Sequence, residues 1–188
     1  MKFFQSKRMI TAGRVLAKIL EVGHWVAEAF MIAIAVCAAA KPAWLRYLMS
    51  VNELGREGAI AAYGFEVEIA AAGGIHRTKL LIFAIAAAVL FSLMAMIFRN
   101  LYLILKRSEH GTPFQSDNVR MLREIGIFSI SVPLVGLVFS WILLLAVGVD
   151  AVEAHVSFSG FTMGLLVLCL TQAFAYGVEL QKDADGLL

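Results

Sequence analysis

The sequence predicts an all-α integral membrane protein, a four-transmembrane-helix bundle with a small extracytoplasmic β-strand cap and both termini in the cytoplasm. Three observations carry this prediction. Of 188 residues, 61% are hydrophobic and 16% charged, with a mean hydropathy of +0.82; soluble domains average about 45–50% apolar and about 25% charged. Four segments reach the roughly 17–25 mostly apolar residues that a bilayer crossing needs. Lys and Arg are also shared unequally among the links between those segments.

The first span covers residues 19–40. It follows basic residues and ends in Ala38-Ala39-Ala40, as a secretory signal does. The leading region is long, however, and Glu21, His24 and Glu28 interrupt the apolar run, so it reads as a permanent span. The second covers residues 80–98. The third, residues 125–149, contains Pro133, which is expected to kink it. The fourth covers residues 160–178. Backbone groups in lipid have to pair within their own segment, which requires helices, and the period-2 alternation of a barrel is absent from these runs. One membrane domain over residues 1–188 follows, with an outer link at 41–79 and an inner link at 99–124.

Orientation follows from the basic residues. Lys2, Lys7, Arg8, Arg14 and Lys18 precede the first span with no acid among them, and Arg99, Lys106, Arg107, Arg120 and Arg123 lie between spans two and three. The 41–79 link mixes its basic residues with Glu53, Glu57, Glu66 and Glu68, and residues 150–159 have no Lys or Arg. The positive-inside rule places both termini and the 99–124 link in the cytoplasm.

The stretch GTPFQSDNVRMLREIG, residues 111–126, is where charge meets the third span. Pro113 closes a turn, and Ser116 or Asp117 can cap the helix that follows. At 100° per residue Val119, Leu122 and Ile125 share one side, while Arg120, Arg123 and Glu124 share the other. The plainest role of the two arginines is to snorkel at lipid headgroups and fix topology. The sharper reading adds a surface for a cytoplasmic partner, with Phe114, Asn118, Arg120, Arg123 and Glu124 as its candidate residues. In the outer link, residues 63–69 alternate apolar and charged, as do residues 156–159, so the two are expected to pair as strands outside the membrane.

EVGHWVAE, residues 21–28, puts Glu21, His24, Trp25 and Glu28 within about a 100° arc of the first helix. Glu21 is placed to pair with Lys18 (i, i+3). Glu28 lies about 13 Å into the span, where a charged carboxylate facing lipid costs at least about 2.5–3.5 kcal/mol. It is therefore expected to face the bundle interior, with His24 one turn away as its nearest partner. Three readings stay open: a packing contact, a functional polar pocket that also draws on Gln172 of span four, and a metal site. The last is weakened because Glu21-x-x-His24 stands without the second motif that di-iron bundles require. No pair of histidines at matching depth suggests haem, and no cofactor is expected.

Other chemistry is poorly supported. Cys37 and Cys169 both lie inside spans, so no disulfide framework is expected. Phosphate-loop, nucleophile-elbow and zinc-protease motifs are missing, which argues against an enzyme. The basic residues sit at topology-setting positions without interleaved aromatics, against direct nucleic-acid binding. Four spans without inverted repeats make a thin transport path unless the protein is a homo-oligomer, for which Gly160-x-x-x-Gly164 offers a close-approach motif.

Residues 111–126, preceded by Arg99-Asn100-Leu101 and Lys106-Arg107, resemble the cytoplasmic link of a bacterial four-span family, domain-of-unknown-function family 2975. The last span and tail, Phe174-Ala175-Tyr176-Gly177-Val178-Glu179-Leu180-Gln181 and the acidic residues after it, resemble that family's ending. The likeness is closest over residues 80–188, and the first 79 match in layout only. It implies no catalytic residue and no ligand. Because members are often encoded beside small helix-turn-helix regulators, it implies a membrane partner for a DNA-binding protein. The expected function is a non-enzymatic regulatory membrane protein whose inner face engages a protein partner. The alternative is a proton- or small-ligand-responsive protein, or a transporter or channel subunit, built on Glu28 and His24.

Overall fold

A computed structural model describes residues 2–40, 59–71, 74–109, 114–148 and 158–186. Four long helices dominate it: α1 (Lys2–Ala40), α2 (Arg77–Ser108), α3 (Ser116–Val147) and α4 (Phe158–Gly186). All four are long and apolar enough to cross a membrane. Between α1 and α2 lie four short strands, β1 (Ala59–Ala62), β2 (Phe65–Glu68), β3 (Ala70–Ala71) and β4 (Gly74–Ile75). They form two antiparallel two-stranded sheets, β1 with β2 and β3 with β4.

The helices overrun the spans that hydropathy marks out, because a helix has no need to stop where lipid does. At 39 residues, α1 is about 58 Å long. α2 continues ten residues past Phe98 and carries Lys106 and Arg107 in its last turn, where cations complement the helix dipole. The expected 99–124 link is therefore mostly helix, leaving residues 109–115 as the connector. At the start of α3 the cap is neither Ser116 nor Asp117. Gln115 holds that position, its carbonyl accepting the amides of Asn118 (2.9 Å) and Val119 (3.2 Å). The Asp117 carboxylate is taken by Arg107 instead. α3 runs unbroken through Pro133.

The chain packs as two compact units: Met1–His24 with Leu93–Ser131 and Ser159–Leu188, and Trp25–Ser92 with Val132–Phe158. In the first unit, α3 and α4 touch through glycines. A Cβ on Gly164 would lie 2.8 Å from the Gly126 carbonyl oxygen and 3.0 Å from the Ile130 amide nitrogen. Gly164 is thus consumed in packing within the chain, in the close-approach role that small residues play between membrane helices. Lower down α4, Gly177 makes room for Phe114: a Cβ there would lie 2.6 Å from the ring.

In the second unit, parts of α1, α2 and α3 are joined by the β1–β2 hairpin. Tyr63 and Gly64 form its two-residue turn, with φ of 50° and 85°, the positive φ pair of a type I′ turn. The alternation read from the sequence is present: Phe65, Val67 and Ile69 are buried, Glu66 is half-buried and Glu68 exposed. The expected partner is not. β2 pairs with β1 in the register Ala62↔Phe65 to Ala59↔Glu68. Of the segment predicted to pair with it, Val156 and Ser157 lie outside the described residues, and Phe158 and Ser159 open α4. Closing a two-residue turn costs far less chain entropy than closing a loop of some ninety residues.

Phe65 anchors the hairpin. Its side chain is 1% exposed, stacks on Phe83 of α2 at 5.9 Å and sits 6.4 Å from Phe139 of α3. Tyr63 meets Phe91 edge-on at 5.7 Å. Phe91 is about 16 Å along the axis of α2 from Leu80, so the hairpin lies alongside the apolar helices instead of beyond their ends. Phe65→Ala is expected to lower stability by about 3 kcal/mol or more, read as lost resistance to unfolding in mixed detergent micelles. Gly164→Leu should destabilise strongly, whereas a substitution at Gly186, which meets nothing within 4 Å, should be silent.

Candidate functional site

The site with the densest polar chemistry surrounds the connector of the first unit. Glu109, just past the end of α2, is held by Arg14 of α1 through an ion pair and hydrogen bond, and the Thr11 hydroxyl donates to its other oxygen at 3.4 Å. On the other side of the connector Arg107 reaches Asp117 at 2.8 Å. Phe114 lies against Gly177 and 5.5 Å from the Phe174 ring. The connector is thereby fastened to α1, α2, α3 and α4. Deeper along the same helices, the Asn100 amide donates to Glu124 at 2.9 Å, and Lys18 lies over the Tyr102 ring at 5.1 Å while pairing with Glu21 at 2.9 Å.

These contacts leave an unequal surface. Glu21, Glu109, Asp117 and Glu124 are each engaged by a neighbour. Arg8, Arg99, Arg120 and Arg123 are exposed, and Arg120 touches Glu124 only at 3.8 Å, a weak surface pair. Next to the connector, the exposed flank of α1 forms a shallow groove of Ala12, Val15, Leu16 and Ile19 with Arg8 and Glu109 at its rim.

The five residues proposed from sequence for a partner divide accordingly. Arg123 is exposed, and Arg120 is exposed with only its weak contact to Glu124. Glu124 is shared with Asn100, and Phe114, though 41% exposed, spends one side on α4. Asn118 is 1% exposed and belongs to the packing of α3; it sits two residues ahead of Arg120, on the opposite side of the helix. The residues that hold the face in place, Arg14, Glu109 and Asn100, were missed. Arg14 and Glu109 are 95 residues apart, and no local spacing links them.

The polar cluster of α1 also divides. Glu21 is buried and pairs with Lys18, as its spacing implies. His24 turns back to its own helix: its Nδ1–H donates to the Leu20 carbonyl at 2.6 Å, and its ring lies 5.1 Å from Phe98. Glu28 is half-buried, and its Oε2 is shut off from solvent with no hydrogen-bond partner among the described residues. Gln172, expected in the interior, is exposed; the buried polar residue is its neighbour Thr171, whose hydroxyl donates to the Val167 carbonyl at 2.9 Å. A helix turns about 100° per residue, so a one-residue error in phase is enough to reverse inside and outside. Among the described residues no three His, Cys, Asp or Glu side chains converge as a metal site would require.

Four apolar helices with a clamped polar connector define a multi-pass membrane protein. More specifically, residues 38–186 match the family described as Protein of unknown function (DUF2975), and the chain belongs to that family. The match extends well upstream of residue 80, through the 41–79 link. No curated protein and no solved structure matches the chain.

The two acidic anchors should differ in weight. Glu109→Gln removes a partly exposed ion pair, a loss of about 1 kcal/mol or less, and should speed amide exchange at Asn118 and Val119 only modestly. Glu124→Ala strands the buried Asn100 amide, at a cost of about 1–3 kcal/mol. Thermal unfolding in detergent should therefore rank Glu124→Ala below Glu109→Gln; the reverse order would mean that the clamp, not the buried amide, holds this unit.

Proposed function

We propose that the protein is a non-catalytic regulatory membrane protein of the bacterial inner membrane, with its termini and connector in the cytoplasm, whose basic face docks a protein partner. The observation that carries the reading is the exposed pair Arg120 and Arg123 on the first turns of α3, whose start is tied to α2 through Asp117 and Arg107. Asp117 is taken by Arg107, and Glu124 is shared between Asn100 and a weak contact to Arg120, which leaves Arg123 and most of the Arg120 charge to attract an acidic surface. The shallow groove along α1 offers apolar area beside it. A rigid, pre-positioned face loses little ordering entropy on binding. A helix-turn-helix regulator with an acidic patch is the partner that the family's gene neighbourhoods favour.

A second reading rests on Glu28. A carboxylate oxygen closed off from solvent without a hydrogen bond is costly inside an apolar helix and marks a site that a proton, a small ligand or a partner helix completes. The protein then responds to that species, as a sensor or as one subunit of a larger channel or transporter.

Purification from the native host in mild detergent tests the first reading. A protein retained by the wild type should be lost with Arg120→Glu/Arg123→Glu, while insertion and unfolding temperature stay within error. Retention by the double variant sinks the docking reading. For the second, Glu28→Gln should differ from the wild type in thermal stability in detergent and in phenotype in the native host; a variant that matches the wild type in both rules the reading out.

A further inference from the structure

The β1–β2 hairpin raises a solvation problem that the described residues do not resolve. Its inward face is covered by Phe83, Phe91 and Phe139. Its outward face carries exposed Ala61, Gly64 and Glu68 and half-buried Glu66. Each sheet among the described residues has two strands only, so β1 and β2 each keep an edge without a strand partner. On α3, around the position of Phe139, the side chains of Leu134, Val138, Trp141 and Leu145 are exposed, which is the mark of a lipid-facing surface. The hairpin therefore sits at the depth where lipid covers α3.

Lipid cannot cover the hairpin. Hydrocarbon leaves strand-edge amides and carbonyls without partners, and non-helical backbone at membrane depth survives only where protein buries it or water reaches it. The carboxylates of Glu66 and Glu68 meet the same penalty. A second copy of the chain is disfavoured as the cover, because a symmetric contact would bring the acidic strands of both copies together in a medium that screens like charges poorly. Among the described residues no ion pair reaches Glu66 or Glu68, and Arg77 donates instead to the carbonyls of Ala38 (2.9 Å) and Ala39 (2.6 Å) at the end of α1.

We propose that the hairpin is a re-entrant element and that its outward face lines a water-filled recess. The recess opens on the side of the 41–79 link and descends about 16 Å along α2 to the level of Tyr63. Glu66 and Glu68 line it and keep it hydrated.

Single cysteines test this in a Cys37→Ala/Cys169→Ala background, with a membrane-impermeant maleimide applied to sealed vesicles of each orientation. Because only the hydrated thiolate reacts, Ala61→Cys and Glu68→Cys should label at least about tenfold faster than Val138→Cys. They should do so from the side opposite to Arg8→Cys, at the far end of α1. Equal, slow labelling at all three positions, or labelling from the Arg8→Cys side, overturns the proposal. So does protection of Ala61→Cys that disappears on dilution into monomerising detergent while disulfide-linked dimers form in the membrane, since a second copy is then the cover. Both test positions are exposed, so labelling of either one in a protein that elutes as the wild type does is decisive.

Discussion

Hydrocarbon offers no hydrogen bonds, and that single constraint orders most of what this chain does. It makes the four spans helical, and it forces buried side-chain polar groups to find partners on their own helix or on a neighbour. Thr171 and His24 bond to the preceding turn, and Asn100 reaches across to Glu124. Glu28 and the hairpin are where the rule is strained, and both readings of activity in this protein converge on places where the solvent has to be something other than lipid.

Charge follows a second logic. In the first unit, Glu109 and Asp117 are used to hold the flanks of the connector to α1 and α2, while several arginines are left facing outward. Exposed ion pairs contribute little each. Their effect here is positional: they fix where α2 ends and α3 begins, and so fix the direction in which Arg120 and Arg123 project. A face built in this way keeps its shape and its sign whether or not anything is bound.

Much of this was legible in the sequence. The four spans, the charged start of α3, the Lys18–Glu21 pair and the half-buried strand at 65–68 all come from periodicities or spacings within one element. The family match covers spans two to four and the link that precedes them. What was not legible depends on contacts between elements. Period-2 alternation says that one face of β2 is buried but not that Phe83 and Phe139 bury it, nor that β1 is its partner. Hydropathy locates the apolar part of a helix but not the helix end, so the inner link looked longer than its seven residues. Gln172 and Thr171 differ by one step around α4, and nothing in an apolar helix with weak amphipathicity fixes that phase. Phe114 and Asn118 looked like surface residues because they adjoin charge, yet Phe114 sets one side of its ring against Gly177 of α4 and Asn118 is buried.

The alanine-rich side of α2 has an implication for how the protein is made. Ala84, Ala86, Ala87 and Ala95 are fully buried together with Leu90, so this helix is packed on more than one side, and it is also the most apolar of the four. A segment of that kind partitions from the translocon into the bilayer without help. α4, the least apolar, has its tightest contact at Gly164 against Gly126, a surface that exists only once α3 is in place. The last helix thus docks onto a surface that α3 has to supply first. Errors in that final docking are what membrane quality control would meet.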